Sequence, residues 1–189
     1  MSVIHIVDDD DAVRRSLAML LRSSGHTSTT YASGEALLEV ALGPGGLAAG
    51  CILVDVRMQG MDGLTLIRQL QQHGVALPMV VVTGHADVPL AVRAMRAGAL
   101  DFVEKPYSEE RILEAVGTAL LSLDATRQRR AMELQSQAQV AALTPREGEV
   151  LAALVAGKAN KMIGFELGIS PRTVEVHRAR LMEDRKSVV

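Results

Sequence analysis

Four short apolar runs, each leading to polar side chains, constrain the fold of this chain more than any other feature. The runs are residues 3–7, 51–54, 79–82 and 101–103. The polar residues that follow them are, in chain order, Asp8, Asp9, Asp55, Thr83 and Lys105. An unbroken apolar run such as 51–54 is typical of a strand buried on both faces of a sheet. Because the carboxyl ends of neighbouring parallel strands open on one crevice, we expect these side chains to converge there.

Helical patterns separate the strand-like runs. After the first run, Val13, Leu17 and Leu21 recur at helical spacing, and Gly25 stands where a helix would end. A second strand is predicted at about 27–31. Further helices are predicted from about Ser33, over 63–72, over 88–98 and from about Ser108. This alternation predicts an α/β fold, with a doubly wound parallel sheet of five strands.

Composition and charge are compatible with two small domains. A chain of 189 residues allows two units that each bury a core. Residues 1–123 carry a net charge of −5 and residues 124–189 one of +3, so we expect an acidic, cation-binding part and a basic part. The single cysteine excludes an internal disulfide, and residues 1–25 lack a signal-peptide pattern. We therefore expect a soluble, cytoplasmic protein with no membrane contact.

Residues 116–142 predict one long helix, because no Gly, Pro or Asn follows Gly117 in this segment. Apolar residues repeat at spacings of three and four up to Leu123, and the series resumes at Leu134 after an interruption by arginines. Two interpretations are open. The helix is either a solvated linker or a short coiled coil that pairs two chains.

A second helical unit is predicted over 143–182. The segment 144–147 has the pattern of a capping box, with proline at the first helical position. Gly168 lies in a short turn between predicted helices at about 160–167 and 171–182. Two helices joined in this way indicate a helix-turn-helix.

These motifs resemble two known families. The polar residues named above, together with the Lys105-Pro106 pair, resemble the receiver domain of bacterial two-component response regulators, and residues 85–106 resemble its FixJ branch in particular. The matches LTPRE, NK and ISPRTVEVHR resemble the LuxR-type output domain found in the same regulators. The resemblance to the FixJ/LuxR (NarL/FixJ) type implies a flavodoxin-like receiver at 1–123, a helical linker at 124–142, and a LuxR-type helix-turn-helix DNA-binding domain at 143–189.

The resemblance also implies the chemistry of the crevice. Asp55 would accept a phosphoryl group from a sensor histidine kinase, while Lys105 neutralises the phosphoryl oxygens and Thr83 donates a hydrogen bond to them. Several carboxylates at close range require a cation, and all-oxygen ligation favours Mg²⁺, with Mn²⁺ as the alternative. The implied direct ligands are Asp9, Asp55 and the backbone carbonyl of Arg57, and Asp8 is implied to act either directly or through a water molecule. Such a regulator is not an enzyme, although it accepts phosphate and releases it again.

Thr83 and Phe102 are the implied conformational switch, in which the hydroxyl moves onto the phosphoryl group and the ring fills the vacated space. A plain core role is the alternative for Phe102, and a capped turn is the alternative for Asp55 taken alone. Arg57 and His85 are expected to overhang the path of the water that hydrolyses the phosphoryl group.

The second helix of a helix-turn-helix lies in the DNA major groove. Val174 and Leu181 are expected to face inward, with either His177 or Arg178 between them. The candidate DNA contacts are Lys161, Arg172, Thr173, Glu175, Val176, Arg178 and Arg180. Ordinary solvated charge is the alternative for each charged member. Related output domains continue into a fourth helix where this chain reads EDRKSVV, so we expect that helix to be absent.

Two functions remain open at this point. The first is a transcription regulator that forms a homodimer on phosphorylation, through about 88–121, and binds DNA, with RNA polymerase as a further partner. The second is a receiver-based interaction protein that acts as a phosphate sink, or antagonises a kinase or full-length regulator, because its output domain does not work. A phosphohydrolase is disfavoured, because such enzymes place a second acid where Arg57 stands.

Overall fold

A computed structural model describes residues 2–84 and 87–183, and the chain divides into two compact units, Met1–Gln128 and Arg129–Val189. The domain limits predicted at 123 and 142 fall within and just after one helix, Glu109–Ala141. Those limits therefore stay predictions, and the predicted long linker helix is the second half of this element.

The first unit is a parallel sheet between two layers of helices. Its strands are β1 (Val3–Val7), β2 (Thr27–Tyr31), β3 (Gly50–Val54), β4 (Met79–Thr83) and β5 (Asp101–Glu104). Its helices are α1 (Asp11–Ser23), α2 (Gly34–Leu42), α3 (Gly63–Gln72), α4 (Val88–Ala97) and the first part of α5 (Glu109–Ala141). The strand order is β2-β1-β3-β4-β5 and every pairing is parallel. The predicted fold class, a doubly wound sheet of five strands, is confirmed.

Strand β3 lies at the centre of the sheet and is buried along its whole length. Because side chains alternate between the faces of a strand, it contributes to two cores. Ile52 and Val54 pack with residues of α2, α3 and α4, whereas Cys51 and Leu53 pack with residues of α1 and α5. The sequence of β3 is apolar without interruption because helices cover both faces of the sheet at this strand.

The loops at the carboxyl ends of the strands are fixed by helix caps and by one close approach. Asp10 and Asp62 accept hydrogen bonds from the first turns of α1 and α3. Gly63 begins α3 where a Cβ atom would lie 2.1 Å from the carbonyl oxygen of Asp55. Only glycine permits α3 to begin this close to the end of β3.

Up to Glu183, the last residue that the structure describes, the second unit contains three further helices, α6 (Pro145–Val155), α7 (Asn160–Leu167) and α8 (Pro171–Glu183). Its small core consists of Val150, Ile163 and Val174, one from each helix. The predicted capping box of α6 is present, because the Thr144 side chain and the Glu147 side chain satisfy each other's backbone N–H groups. Helices α7 and α8 with the turn between them form the predicted helix-turn-helix.

No helix within 2–84 and 87–183 combines the length and the apolar character that a membrane crossing requires.

Candidate functional site

Three carboxylates meet at the carboxyl end of the sheet and form what we call the acidic crevice. Asp8 and Asp9 follow β1, and Asp55 follows β3, which pairs directly with β1. One oxygen atom from each of the three lies within 4.8 Å of the others. Asp8 is buried, Asp55 is half-buried and Asp9 is exposed, so the crevice opens to solvent on the Asp9 side.

Lys105 brings the neutralising charge to this crevice from the end of β5. Its Nζ donates to Asp8 Oδ2 at 2.7 Å and to Asp55 Oδ2 at 3.2 Å. Burial by itself lowers the pKa of this ammonium, but the hydrogen bond from Lys105 to Asp8 and the charge of Asp55 outweigh it, so the pKa lies above its ordinary value. Lys105 is therefore charged at neutral pH.

Thr83, at the end of β4, is fully buried, and its Oγ1 has no hydrogen-bond partner among the residues that the structure describes. An unpartnered buried hydroxyl is unusual, because it loses its bonds to water and gains none. Phe102 lies on the neighbouring strand β5, where it pairs with Val81. The ring is half-buried and packs against the core on the α4 side of the sheet.

The loop between β3 and α3 is tied to the crevice through its backbone. The N–H of Arg57 donates to Asp55 Oδ1 at 3.3 Å, and that of Gln59 donates to Asp9 Oδ2 at 3.0 Å. The Arg57 side chain is exposed. The predicted site residue His85 lies outside the described residues.

In the second unit, α8 turns one face to its core and leaves the other free. Val174 is buried, His177 is half-buried with its Nδ1 enclosed, and Leu181 packs against the core. His177 rather than Arg178 therefore takes the inward position that the spacing left open. The candidate DNA contacts on α8 are all exposed: Arg172, Thr173, Glu175, Val176, Arg178 and Arg180. Lys161 on α7 is exposed as well.

Two family models match the chain. The response regulator receiver domain matches residues 4–117, and the LuxR family of bacterial regulatory proteins matches residues 141–184. The chain belongs to the response-regulator family. This chain combines a receiver with a LuxR-type output domain, which is the domain pairing of a transcriptional regulator rather than of an enzyme, so the predicted class is confirmed.

Similar proteins include two transcriptional regulatory proteins named FixJ. The transcriptional regulatory protein FixJ of Azorhizobium caulinodans is 48% identical over 97% of this chain and 86% of its own length. FixJ of Rhizobium meliloti is 44% identical over 97% of this chain and 89% of its own. The solved structure of the response regulator StyR superposes with a TM-score of 0.77 at 38% identity, covering 96% of this chain and 90% of that one.

Sequence reasoning found the crevice of this response regulator but missed the backbone N–H groups that donate to its carboxylates. Asp8, Asp9, Asp55, Thr83 and Lys105 could be found because each follows a recognisable strand. The N–H of Gln59 could not, since every residue except proline carries that donor. Glu35 was missed too: its Oε1 accepts from the N–H of Met61 at 2.8 Å, a contact between residues 26 positions apart.

Proposed function

We propose that this response regulator accepts a phosphoryl group on Asp55 from a sensor histidine kinase and then regulates transcription through its DNA-binding unit. One observation carries the proposal. The Asp55 carboxylate lies at the carboxyl end of the central strand, 3.2 Å from the Lys105 ammonium and beside two further acids. A carboxylate placed this way is a nucleophile with a charge partner already in position.

The crevice also fits a divalent cation. Three carboxylate oxygens within 4.8 Å of one another are hard donors, which suits Mg²⁺ or Mn²⁺. The proposed ligands are Asp8, Asp9, Asp55 and the backbone carbonyl of Arg57. When bound, the cation supplies a positive charge that offsets the charge of the phosphoryl oxygens.

In the proposed reaction, a carboxylate oxygen of Asp55 attacks the phosphorus atom of a phosphohistidine. The new bond joins oxygen to phosphorus, the phosphorus–nitrogen bond breaks, and the electron pair stays on the departing imidazole. The Lys105 ammonium is charged and already contacts Asp55 and Asp8. It can therefore donate hydrogen bonds to the phosphoryl oxygens without leaving the acidic crevice. The buried hydroxyl of Thr83 can donate a hydrogen bond and has no partner within the part of the chain that the structure describes.

We further propose that movement of Thr83 toward the phosphoryl group leaves space that Phe102 fills. Half-burial of Phe102 supports this, because a ring that is partly exposed can still gain contacts by turning inward. The plain core role remains the alternative, and it predicts a ring that does not move.

Homodimer formation on phosphorylation is proposed for the surface at about 88–121. Helix α4 presents exposed apolar side chains there: Val88, Val92 and Met95. These three positions lie on the outward face of the helix, whereas Leu90, Ala94 and Ala97 are buried. The exposed apolar residues of the second half of α5, Met132, Leu134 and Val140, are available to a coiled coil between two chains.

DNA binding is proposed for the outward face of α8 together with Lys161. Arg172, Arg178 and Arg180 are suited to phosphate contacts, and Glu175 can accept from a cytosine amine. The prediction that this chain lacks the fourth helix of related output domains concerns residues 183–189. Six of these seven residues, 184–189, lie outside the described residues. RNA polymerase is the proposed further partner on DNA.

The phosphoacceptor assignment is tested with acetyl phosphate and Mg²⁺, followed by intact mass spectrometry. The wild-type chain should gain one phosphoryl group, and Asp55→Asn should gain none, because an amide is a far poorer nucleophile. Asp62→Asn is the matched control, since Asp62 caps α3 without belonging to the acidic crevice. A full adduct on Asp55→Asn would overturn the assignment.

The output function is tested by selecting duplexes from a random pool, with and without phosphorylation. A transcription regulator should enrich one sequence family, and more strongly when phosphorylated. No enrichment in either state would favour the interaction protein instead.

A further inference from the structure

The loop from Arg57 to Met61, which we call the 57–61 loop, is held by three carboxylates from three different elements. The backbone N–H groups of Arg57, Gln59 and Met61 donate to Asp55, Asp9 and Glu35, at 3.3, 3.0 and 2.8 Å. The Arg57 bond is local, to a residue two positions away, whereas Gln59 and Met61 are tied to segments that are 50 and 26 positions away. The shortest of the three bonds is the one to Glu35.

Two of these three carboxylates have a second task in the proposed function. Asp9 and Asp55 are proposed cation ligands, and Asp55 is the proposed phosphoacceptor. When their oxygens turn to a cation or a phosphoryl group, fewer lone pairs remain for the loop. Glu35 is not among the clustered carboxylates of the acidic crevice, so its oxygen atoms stay available to Met61 when the crevice is filled.

The 57–61 loop and the start of α2 pack closely, and a glycine on each of these two segments makes room for a side chain of the other. A Cβ atom on Gly34 would lie 3.4 Å from the Met61 side chain. Gly60 has a φ of +78°, and a Cβ atom there would lie 2.7 Å from Glu35 Oε1. Glycine at 60 thus serves both the left-handed backbone and the approach of the carboxylate.

The Glu35 side chain is in the acceptor form that this contact needs. Its pKa lies below the ordinary value, because its own backbone N–H and that of Met61 donate to the carboxylate. Glu35 also lies in the first turn of α2, where a negative charge stabilises the helix end. A purely structural role of Glu35 in α2 is therefore the alternative, and an experiment must distinguish it from a role in holding the 57–61 loop.

We propose that Glu35 is a positioning residue for the proposed cation site. By anchoring Met61, it holds the 57–61 loop, and with it the backbone carbonyl of Arg57, while Asp9 and Asp55 turn from the loop to the cation. The inference rests on the proposed function, because it assigns Glu35 a task only if the acidic crevice binds Mg²⁺.

The test is isothermal titration of the full chain with Mg²⁺ in the absence of any phosphodonor. Because only part of the free energy of the Glu35–Met61 hydrogen bond is coupled to the cation site, Glu35→Ala should weaken Mg²⁺ binding by about threefold to tenfold. Glu35→Gln keeps an oxygen acceptor without the charge, so its affinity should return to within about twofold of wild type. Glu39→Ala is the matched control on the same helix, and its affinity should not change.

A second variant perturbs the same contact from the loop side. Gly60→Ala places a methyl group against Glu35 Oε1 and should weaken Mg²⁺ binding by a similar factor. Because both substitutions break the Glu35–Met61 contact, the double variant should bind Mg²⁺ more weakly than Glu35→Ala only by the effect of the backbone strain that alanine adds at the left-handed position 60. With acetyl phosphate, the variants should need more Mg²⁺ for half-maximal phosphorylation and still reach the wild-type rate at saturation.

The outcomes separate the inference from the proposed function. If the wild-type chain binds no Mg²⁺, the proposed cation site is wrong. If wild type binds Mg²⁺ and Glu35→Ala binds it equally well, the positioning role is refuted. Equal loss in Glu35→Ala and Glu35→Gln, with a matching loss of thermal stability, would show that Glu35 acts only through the charge at the start of α2.

Discussion

The buried hydroxyl of Thr83 has no hydrogen-bond partner among the described residues, which predicts that removing this proposed functional group stabilises the resting protein. Thr83 is fully buried, and Thr83→Val replaces its hydroxyl with a methyl group of similar size. Leaving a buried hydroxyl without a partner costs about 1–3 kcal/mol. The substitution should therefore raise the free energy of unfolding of the first unit by about that amount.

Thermal unfolding followed by circular dichroism measures this effect. For a unit of the size of Met1–Gln128, each kcal/mol corresponds to a rise in Tm of roughly 3–5 °C. Thr65→Val is the matched control, because Thr65 Oγ1 donates to Asp62 at 3.1 Å and accepts from Arg68 at 2.9 Å. That variant loses satisfied bonds and should be less stable by about 0.5–1.5 kcal/mol.

The same substitution should impair the proposed switch. Thr83→Val keeps Asp55 and Lys105, so acetyl phosphate should still phosphorylate it, but phosphorylation should no longer promote dimers in sedimentation experiments. A Thr83→Val protein that is at least 1 kcal/mol less stable than wild type would refute the reasoning, since it would mean that the hydroxyl is already satisfied.

Three further predictions concern the groups around the acidic crevice and the sheet. Without Mg²⁺, Lys105→Met should lower the free energy of unfolding by about 1–3 kcal/mol, because Asp8 and Asp55 lose their ion-pair partner. Addition of Mg²⁺ should then raise the Tm of the variant more than that of the wild type, and an equal rise in both proteins would contradict this prediction. Gly63→Ala should destabilise the first unit by at least about 1–3 kcal/mol in urea unfolding, because its Cβ meets the Asp55 carbonyl oxygen, whereas Gly45→Ala, with open space around it, should be neutral. Burial lowers the pKa of His5, so the folded state binds fewer protons than the unfolded state. The free energy of unfolding should therefore fall as the pH drops below 6.5, the ordinary pKa of histidine. In unfolding curves measured over a pH series, His5→Gln should show a smaller decline.

Sequence reasoning predicted the parts of this molecule whose physics is local. The strand β3 and the acid after it could be predicted because a run buried on both faces has no polar positions. The capping box of α6 followed from residue types three positions apart. The choice between His177 and Arg178 for the inward position of α8 could not be made, because both lie within reach of the core and only packing decides between them.

The contacts that tie the acidic crevice to its loops were beyond prediction for a different reason. They join backbone N–H groups to carboxylates that are 26 or 50 positions away, as with Glu35 and Met61 or Asp9 and Gln59. Backbone donors carry no residue-type signal, so only the folded arrangement reveals them. The unsatisfied hydroxyl of Thr83 is likewise a property of its surroundings rather than of its type.

The central claim is that phosphorylation of Asp55 controls the DNA-binding unit. Fluorescence anisotropy with a selected duplex, at two salt concentrations and with and without acetyl phosphate, tests it most directly. Phosphorylation should tighten binding of the wild-type chain severalfold, binding should weaken steeply with salt because phosphate contacts dominate, and Asp55→Asn should show no response to the phosphodonor. Equal affinity of the phosphorylated and unphosphorylated wild-type chain for that duplex would contradict the account.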